Sequence, residues 1–187
     1  KAEKGTVEQK ISDLYTMGLD SVRLNKDGVA PLKADLNQLM QISELDHVSY
    51  AAALIHKYAG SPLFSMGVGA DLMNSNINAL YAGQSGLGMG NRDYYLDEEN
   101  AAKRKGYVEW LTKAFTLCQI DDAESSAQKV LEFETKMAKA FRTNVQLRDV
   151  EAGYNPMSKA DFVKRYDAIN WDVYFSEMGI GSFEQLI

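Results

Sequence analysis

Cysteine is nearly absent from this chain: Cys118 is the only one in 187 residues. A lone thiol excludes an internal disulfide framework and any multi-cysteine metal site. Histidine is almost as scarce, with only His47 and His56. They lie nine positions apart, whereas a catalytic zinc helix wants histidines at i and i+4, both leaving one face, with a Glu between them as base. No catalytic or metal-ligating residue is therefore assigned. No apolar run approaches the roughly 20 residues that a membrane-crossing helix requires. Basic charge is also short, since the net charge is −6, and phosphate binding needs a concentrated basic face. No nucleic-acid partner is expected. The one basic run, Lys103-Arg104-Lys105, follows Asp97-Glu98-Glu99 and reads as a solvated helix face. There is no Asn-x-Ser/Thr sequon and no leader, and the chain starts at Lys1, as a processed or excised chain does.

What is present suits a globular domain: 45% apolar and 25% charged residues. The expected class is mainly α, a single multi-helix domain over 1–187 with one small β-hairpin at about residues 64–82. Val7, Ile11, Leu14, Tyr15 and Leu19 recur at helical spacing. Asn25 to Gly28 reads as a turn, and Pro31 as a helix start. Leu32, Leu36, Leu39 and Met40 make a buried stripe. Asp46 is the expected cap of a helix to Tyr58. Phe64, Met66 and Val68 alternate with small residues, Asn74-Ser75-Asn76 makes a turn, and Ile77 to Tyr81 returns as the second strand. Gly83 to Tyr95 is a glycine-rich loop.

Helices resume with Asp97 as a cap. Val108, Leu111, Phe115 and Cys118 form one apolar stripe. Ala127, Val130, Phe133, Met137 and Phe141 form the next, with Glu132 and Lys136 as an i,i+4 pair. Ser158 and Asp161 make a capping-box-like start. Trp171 to Met178 is a further short helix, and no closing signal precedes Ile187.

The chemistry-bearing motifs are few. His56, near a helix end, is expected to bond that helix's last carbonyls. Cys118 is expected to be a buried structural thiol. Gly83 and Gly88 have P-loop spacing, but Met89-Gly90 replace the required Lys and Ser/Thr. Gly86-Leu87-Gly88 begins a dinucleotide fingerprint without a βαβ unit around it. Asn91-Arg92-Asp93-Tyr94-Tyr95-Leu96 remains: a charged pair beside two tyrosines, suited to anchoring a glycine loop onto helices.

These residues resemble a family. Gly86-Leu87-Gly88-Met89-Gly90-Asn91-Arg92-Asp93-Tyr94-Tyr95 is similar to the Gly-Leu-Gly-Leu-Pro-x-Arg-Asp-Tyr-Tyr segment of the neprilysin and oligoendopeptidase O zinc metallopeptidases. Arg148-Asp149 followed by Tyr154-Asn155-Pro156-Met157-Ser158 resembles that family's Arg-Asp…Tyr-Asn-x-Met-Ser/Thr stretch. Val7 to Ile11 and the Asp71…Asn74-Ser75 turn resemble its bacterial members. Met89-Gly90 depart from Leu-Pro, which implies a more flexible loop.

The resemblance implies the N-terminal region of a two-lobed, largely helical peptidase. Its catalytic lobe carries His-Glu-x-x-His and a further Glu as zinc ligands, and the other lobe caps the cleft so that only small peptides enter. The implied partners are the missing C-terminal catalytic lobe of the same polypeptide and peptide substrates. Zinc belongs to the parent, with no cofactor in this segment, and the implied compartment is periplasm or cell surface. Arg92, Asp93, Tyr94, Tyr95, Arg148, Asp149, Tyr154 and Asn155 are expected to be structural or lobe-contacting. The other reading is a free-standing helical module that recruits a protein or peptide, for which the ten tyrosines and the glycine loop speak.

Overall fold

The computed structural model describes residues 2–58 and 60–187. Its contacts divide the chain into two units, 1–41 and 42–187, each taken by itself below.

The first unit is a string of short helices: α1 (Val7–Leu19), α2 (Ser21–Asp27), a 3-10 turn at Ala30–Leu32 and α3 (Lys33–Leu39). Thr6 caps α1 by accepting from Gln9 N–H at 3.2 Å, and the Gln9 side chain reaches back to Gly5 N–H. Residues 25–27 are helical instead of a turn. The Asp20 side chain accepts from Arg23 N–H at 3.0 Å, and Arg23 pairs with Asp27 one turn on. The stripe expected to be buried is not: Leu32 and Met40 are exposed, and Leu36 and Leu39 are half-buried. Val7, Ile11, Leu14 and Tyr15 also face outward. A unit this short closes too little surface for a core of its own.

The second unit begins with α4 (Leu45–Tyr58), followed by the antiparallel strands β1 (Phe64–Ala70) and β2 (Asn78–Gln84). Asp46 sits inside the first turn of α4, not at its cap, where its charge still suits the positive helix end. Then come α5 (Asp93–Leu96), α6 (Ala101–Leu117), α7 (Ala123–Ala140), α8 (Val150–Gly153), β3 (Met157–Ser158), α9 (Lys159–Arg165), α10 (Trp171–Met178) and β4 (Gln185–Leu186). The class is mainly α. The sheet has four strands in the order β1-β2-β4-β3, because the hairpin recruits two short strands that the sequence pattern does not announce. The last residues zip into it: Ile187 N–H donates to Leu80 O and Ala82 N–H to Ile187 O, both at 2.8 Å. The α9 start has the expected box, with Asp161 N–H donating to Ser158 Oγ at 3.1 Å and that hydroxyl donating to Asp161 Oδ2 at 2.6 Å.

Burial concentrates where α4, α10 and the sheet meet, around Ala52, Ala53, Leu80, Phe162, Trp171, Tyr174, Phe175 and Leu186. Small residues on α4 let the aromatic helix α10 approach closely, and most of the rings pack edge-on or tilted, as in Phe162–Trp171 at 4.6 Å between centroids, while Trp171 and Phe175 stack. His56 works here. Its Nε2 lies 2.7 Å from Phe64 O and its Nδ1 2.6 Å from Tyr174 Oη. The carbonyl can only accept, so Nε2 carries the proton and Tyr174 donates to Nδ1. The ring thus ties α4 to β1 and α10 rather than capping its own helix, since the hairpin offers it a carbonyl that the helix end does not. Burial pushes the Tyr174 hydroxyl up to about 12.

Candidate functional site

The Gly86–Tyr95 segment runs from the end of β2 onto α7, and three features fix its path. At Gly86, φ is +102°, and a Cβ there would collide with the Pro62 carbonyl. At Gly88 a Cβ would collide with the Tyr107 hydroxyl. Asn91 Oδ1 then accepts from Asp93 N–H at 3.0 Å, starting the single turn of α5 that carries Tyr94 and Tyr95.

Tyr95 is buried, and its hydroxyl donates to Glu134 Oε2 at 2.6 Å. Glu134, on α7, is buried too. Its other oxygen accepts from Tyr107 Oη at 3.2 Å and from Gly88 N–H at 3.3 Å. Met89 N–H donates to Tyr95 Oη at 2.9 Å. One carboxylate therefore collects a loop amide and two phenols from α5 and α6, with three donors offsetting the cost of desolvating its charge. Burial, then the hydrogen bond to Glu134, pushes the Tyr95 pKa upward. Burial, then the charge of Glu134, does the same for Tyr107. These bonds tie the loop at Gly88 and Met89.

The charged pair turns elsewhere. Arg92 donates from Nε to Ala138 O at 3.2 Å, satisfying a carbonyl in the last turn of α7, and its Nη1 lies 3.4 Å from Asp93 Oδ1. The Tyr94 ring lies under Lys103 Nζ, 4.0 Å away. Arg104 donates to Tyr94 O at 3.0 Å and Asp97 O at 2.7 Å. That corrects the solvated-face reading of the basic run, because Arg104 closes the turn that leads into α6. Asp97 precedes a 3-10 turn at Glu98–Asn100 and makes no side-chain cap.

The second group makes its described side-chain bonds within its own segment and to the hairpin. Asp149 Oδ1 accepts from Ala152 N–H at 3.0 Å and caps α8. Asn155 Nδ2 donates to Ala152 O at 3.0 Å. Arg148 is exposed; its backbone N–H donates to Val145 O at 3.2 Å, and its side chain has no described hydrogen bond or ion pair. Tyr154 leaves this cluster for the hairpin, where its hydroxyl lies 3.1 Å from Asp71 Oδ1. Asp71, buried, also accepts from the Met73 and Asn74 N–H groups and shapes the turn between β1 and β2. Partial desolvation and this carboxylate raise the Tyr154 pKa.

Glu134 and Tyr107 escape sequence reasoning. Phe133 was placed on the inner stripe of α7 but is largely exposed, and the inward face runs Ala127, Leu131, Glu134, Ala138. An acid in register with alanines at i+4 and i−7 was the available signal. The expected Glu132–Lys136 pair is not among the described ion pairs. Cys118 caps the end of α6 and is half-buried, as are Val108 and Phe115 of the same stripe, instead of being the buried thiol expected.

The donor set does not suit a metal ion. Both nitrogens of His56 are engaged, His47 Nδ1 faces Ser43 N–H at 3.5 Å, and no group of three His, Cys, Asp or Glu among the described residues could hold one. No described helix is long and apolar enough to cross a membrane.

The family model described as peptidase family M13 matches residues 1–187. Endothelin-converting enzyme 1 of Rattus norvegicus is 37% identical over 118 residues, which is 61% of this chain and 16% of that protein. Neprilysin-3 of Drosophila melanogaster is 26% identical over 189 residues, 94% of this chain and 24% of that protein. Among solved structures, the zinc metalloprotease Zmp1 of Mycobacterium tuberculosis in its open state superposes with a TM-score of 0.87 at 25% identity, covering all of this chain and 30% of that one. The chain therefore spans less than a third of the relatives it matches.

Proposed function

Because the chain belongs to peptidase family M13, as its N-terminal region, we propose that it is the non-catalytic part of a zinc metalloendopeptidase. It caps the cleft of a longer polypeptide and limits entry to small peptides. The observation that carries this reading is the full-length match to a region that makes up under a third of a zinc metalloprotease. On this reading, hydrolysis belongs to a catalytic lobe bearing its own zinc ligands. Two tied layers support the role of a shaped wall. The Glu134 clasp holds the glycine loop on α5, α6 and α7, and the Tyr154–Asp71 bond holds the hairpin tip. Peptides are the substrates of the parent, and the periplasm or cell surface is its compartment.

The test uses quenched fluorogenic peptides of graded length. The purified 187-residue chain with zinc is expected to cleave none of them. The polypeptide that carries both lobes is expected to cleave short ones and spare long ones. Zinc-dependent cleavage by the chain alone would overturn the assignment. A two-lobed enzyme indifferent to length would overturn the filtering role.

A further inference from the structure

A cavity between the glycine loop and the segment after α7 takes no part in the clasp. It measures about 240 Å³, and its lining includes Arg92, Arg142, Asn91, Asn144 and Phe141. No aspartate or glutamate lines it, in a chain whose net charge is −6. Its walls are held from both sides. Gln84 Oε1 accepts from Arg142 N–H at 2.8 Å, and Gln84 Nε2 donates to Arg142 O at 3.1 Å.

Both guanidiniums are oriented chiefly by neutral carbonyls. Arg92 uses Nε on Ala138 O. Arg142 donates from Nη2 to Gln146 O at 2.7 Å and from Nη1 to Ala152 O at 3.5 Å. Such bonds fix a planar group without cancelling its charge. Asp93 is the only acid paired with either among the described residues, at 3.4 Å and with its side chain 40% exposed. A guanidinium has five N–H donors, so each keeps some unspent. Two held, under-compensated guanidiniums and the amides of Gln84, Asn91 and Asn144 line one small polar cavity, and each guanidinium is itself the planar donor fork that carboxylates fit.

We propose that this cavity is a carboxylate-binding site. It takes one carboxylate on a short stem, from a peptide's C-terminus, an acidic side chain or a small free acid. The inference stands independently of the capping role.

The test is an NMR titration of the 187-residue chain, following the arginine Nε–H resonances at pH 7 and constant ionic strength. Acetate is expected to shift those of Arg92 and Arg142 saturably, and chloride is not. Asn144→Asp, at an exposed position, places a carboxylate at the cavity and is expected to weaken acetate at least about tenfold. Arg92→Lys keeps the charge but removes the fork, and a loss of similar size is expected. Three acetylated alanine peptides separate the sources: one with a free C-terminus, one amidated, and one amidated but carrying Glu. Binding by the first, the third or both supports the site and names the source. Equal shifts with chloride, saturation by inorganic phosphate but not acetate, or unchanged acetate affinity in Asn144→Asp would overturn it. A circular dichroism spectrum checks the fold of each variant, and the unaltered chain's titration decides the matter if a variant fails to fold.

Discussion

Gly86, Gly88 and Gly90 stand two residues apart, yet each is glycine for a different reason. Gly86 combines a positive φ with a backbone carbonyl where a Cβ would go. Gly86→Ala is expected to cost about 3 kcal/mol or more, because neither strain nor clash can relax. A Cβ at Gly88 meets side chains rather than backbone: the tip of Tyr107 and, less closely, Glu134 Oε1. Gly88→Ala should cost about 1–3 kcal/mol, and Tyr107→Phe in the same chain should restore part of it. Gly90 has φ +80° and open space beyond it, so alanine there carries strain alone, about 1–2 kcal/mol. Urea unfolding of the three single variants and the Gly88–Tyr107 double variant reads the order directly. The Glu134 clasp gives a second test at this scale. Tyr95→Phe removes the shorter bond and should cost about 1.5–3 kcal/mol, as for a hydrogen bond to a charged group. Tyr107→Phe, which removes the longer one, should cost less. A cycle with Glu134→Gln measures the coupling.

At the scale of elements, the sheet depends on its smallest members. Leu186 is 1% exposed, pairs with Leu80 on one side and Met157 on the other, and belongs to the main core. Leu186→Ala is expected to cost about 2–5 kcal/mol, measured by thermal unfolding. Nothing in the local pattern of residues 185–187 marks a strand, since two residues are too few for an alternation to show. The long periodic helices and the hairpin were legible, because Phe64-x-Met66-x-Val68 and the 3.6-residue spacings are local signals. The inward face of α7 was not, because a glutamate scores as surface until two phenols from other elements are seen to meet it. His56 was read as a helix end for the same reason: Phe64 and Tyr174 reach it only through tertiary packing. The capping box at Ser158 lies within three residues of its partner. The Glu134 clasp spans dozens, and that difference in reach decided what could be read.

For the whole molecule, the raised tyrosine pKa values set an alkaline limit. A phenol whose pKa rises on folding keeps its proton in the folded chain where the unfolded chain has already lost it. Its contribution to stability is complete below about pH 10, the ordinary tyrosine value, and is lost as pH climbs beyond that. Tyr174 extends the window to about 12, and Tyr95 and Tyr107 are raised as well. The urea midpoint is expected to be insensitive to these groups between pH 8 and about 9.5 and to fall steeply above about 10. Tyr95→Phe should make that fall shallower, and an unchanged slope would remove this residue from the account.

The pairing of Leu80 with Leu186 joins positions 106 apart (186 − 80). Joining ends that distant carries a loop-closure entropy that no neighbouring contact repays in advance. During synthesis, the hairpin can form as soon as it emerges, but its inner edge must wait, unpaired, until residues 185–187 arrive. Folding of this region is therefore timed by that distant strand, and the exposed edge is most open to wrong partners in that interval.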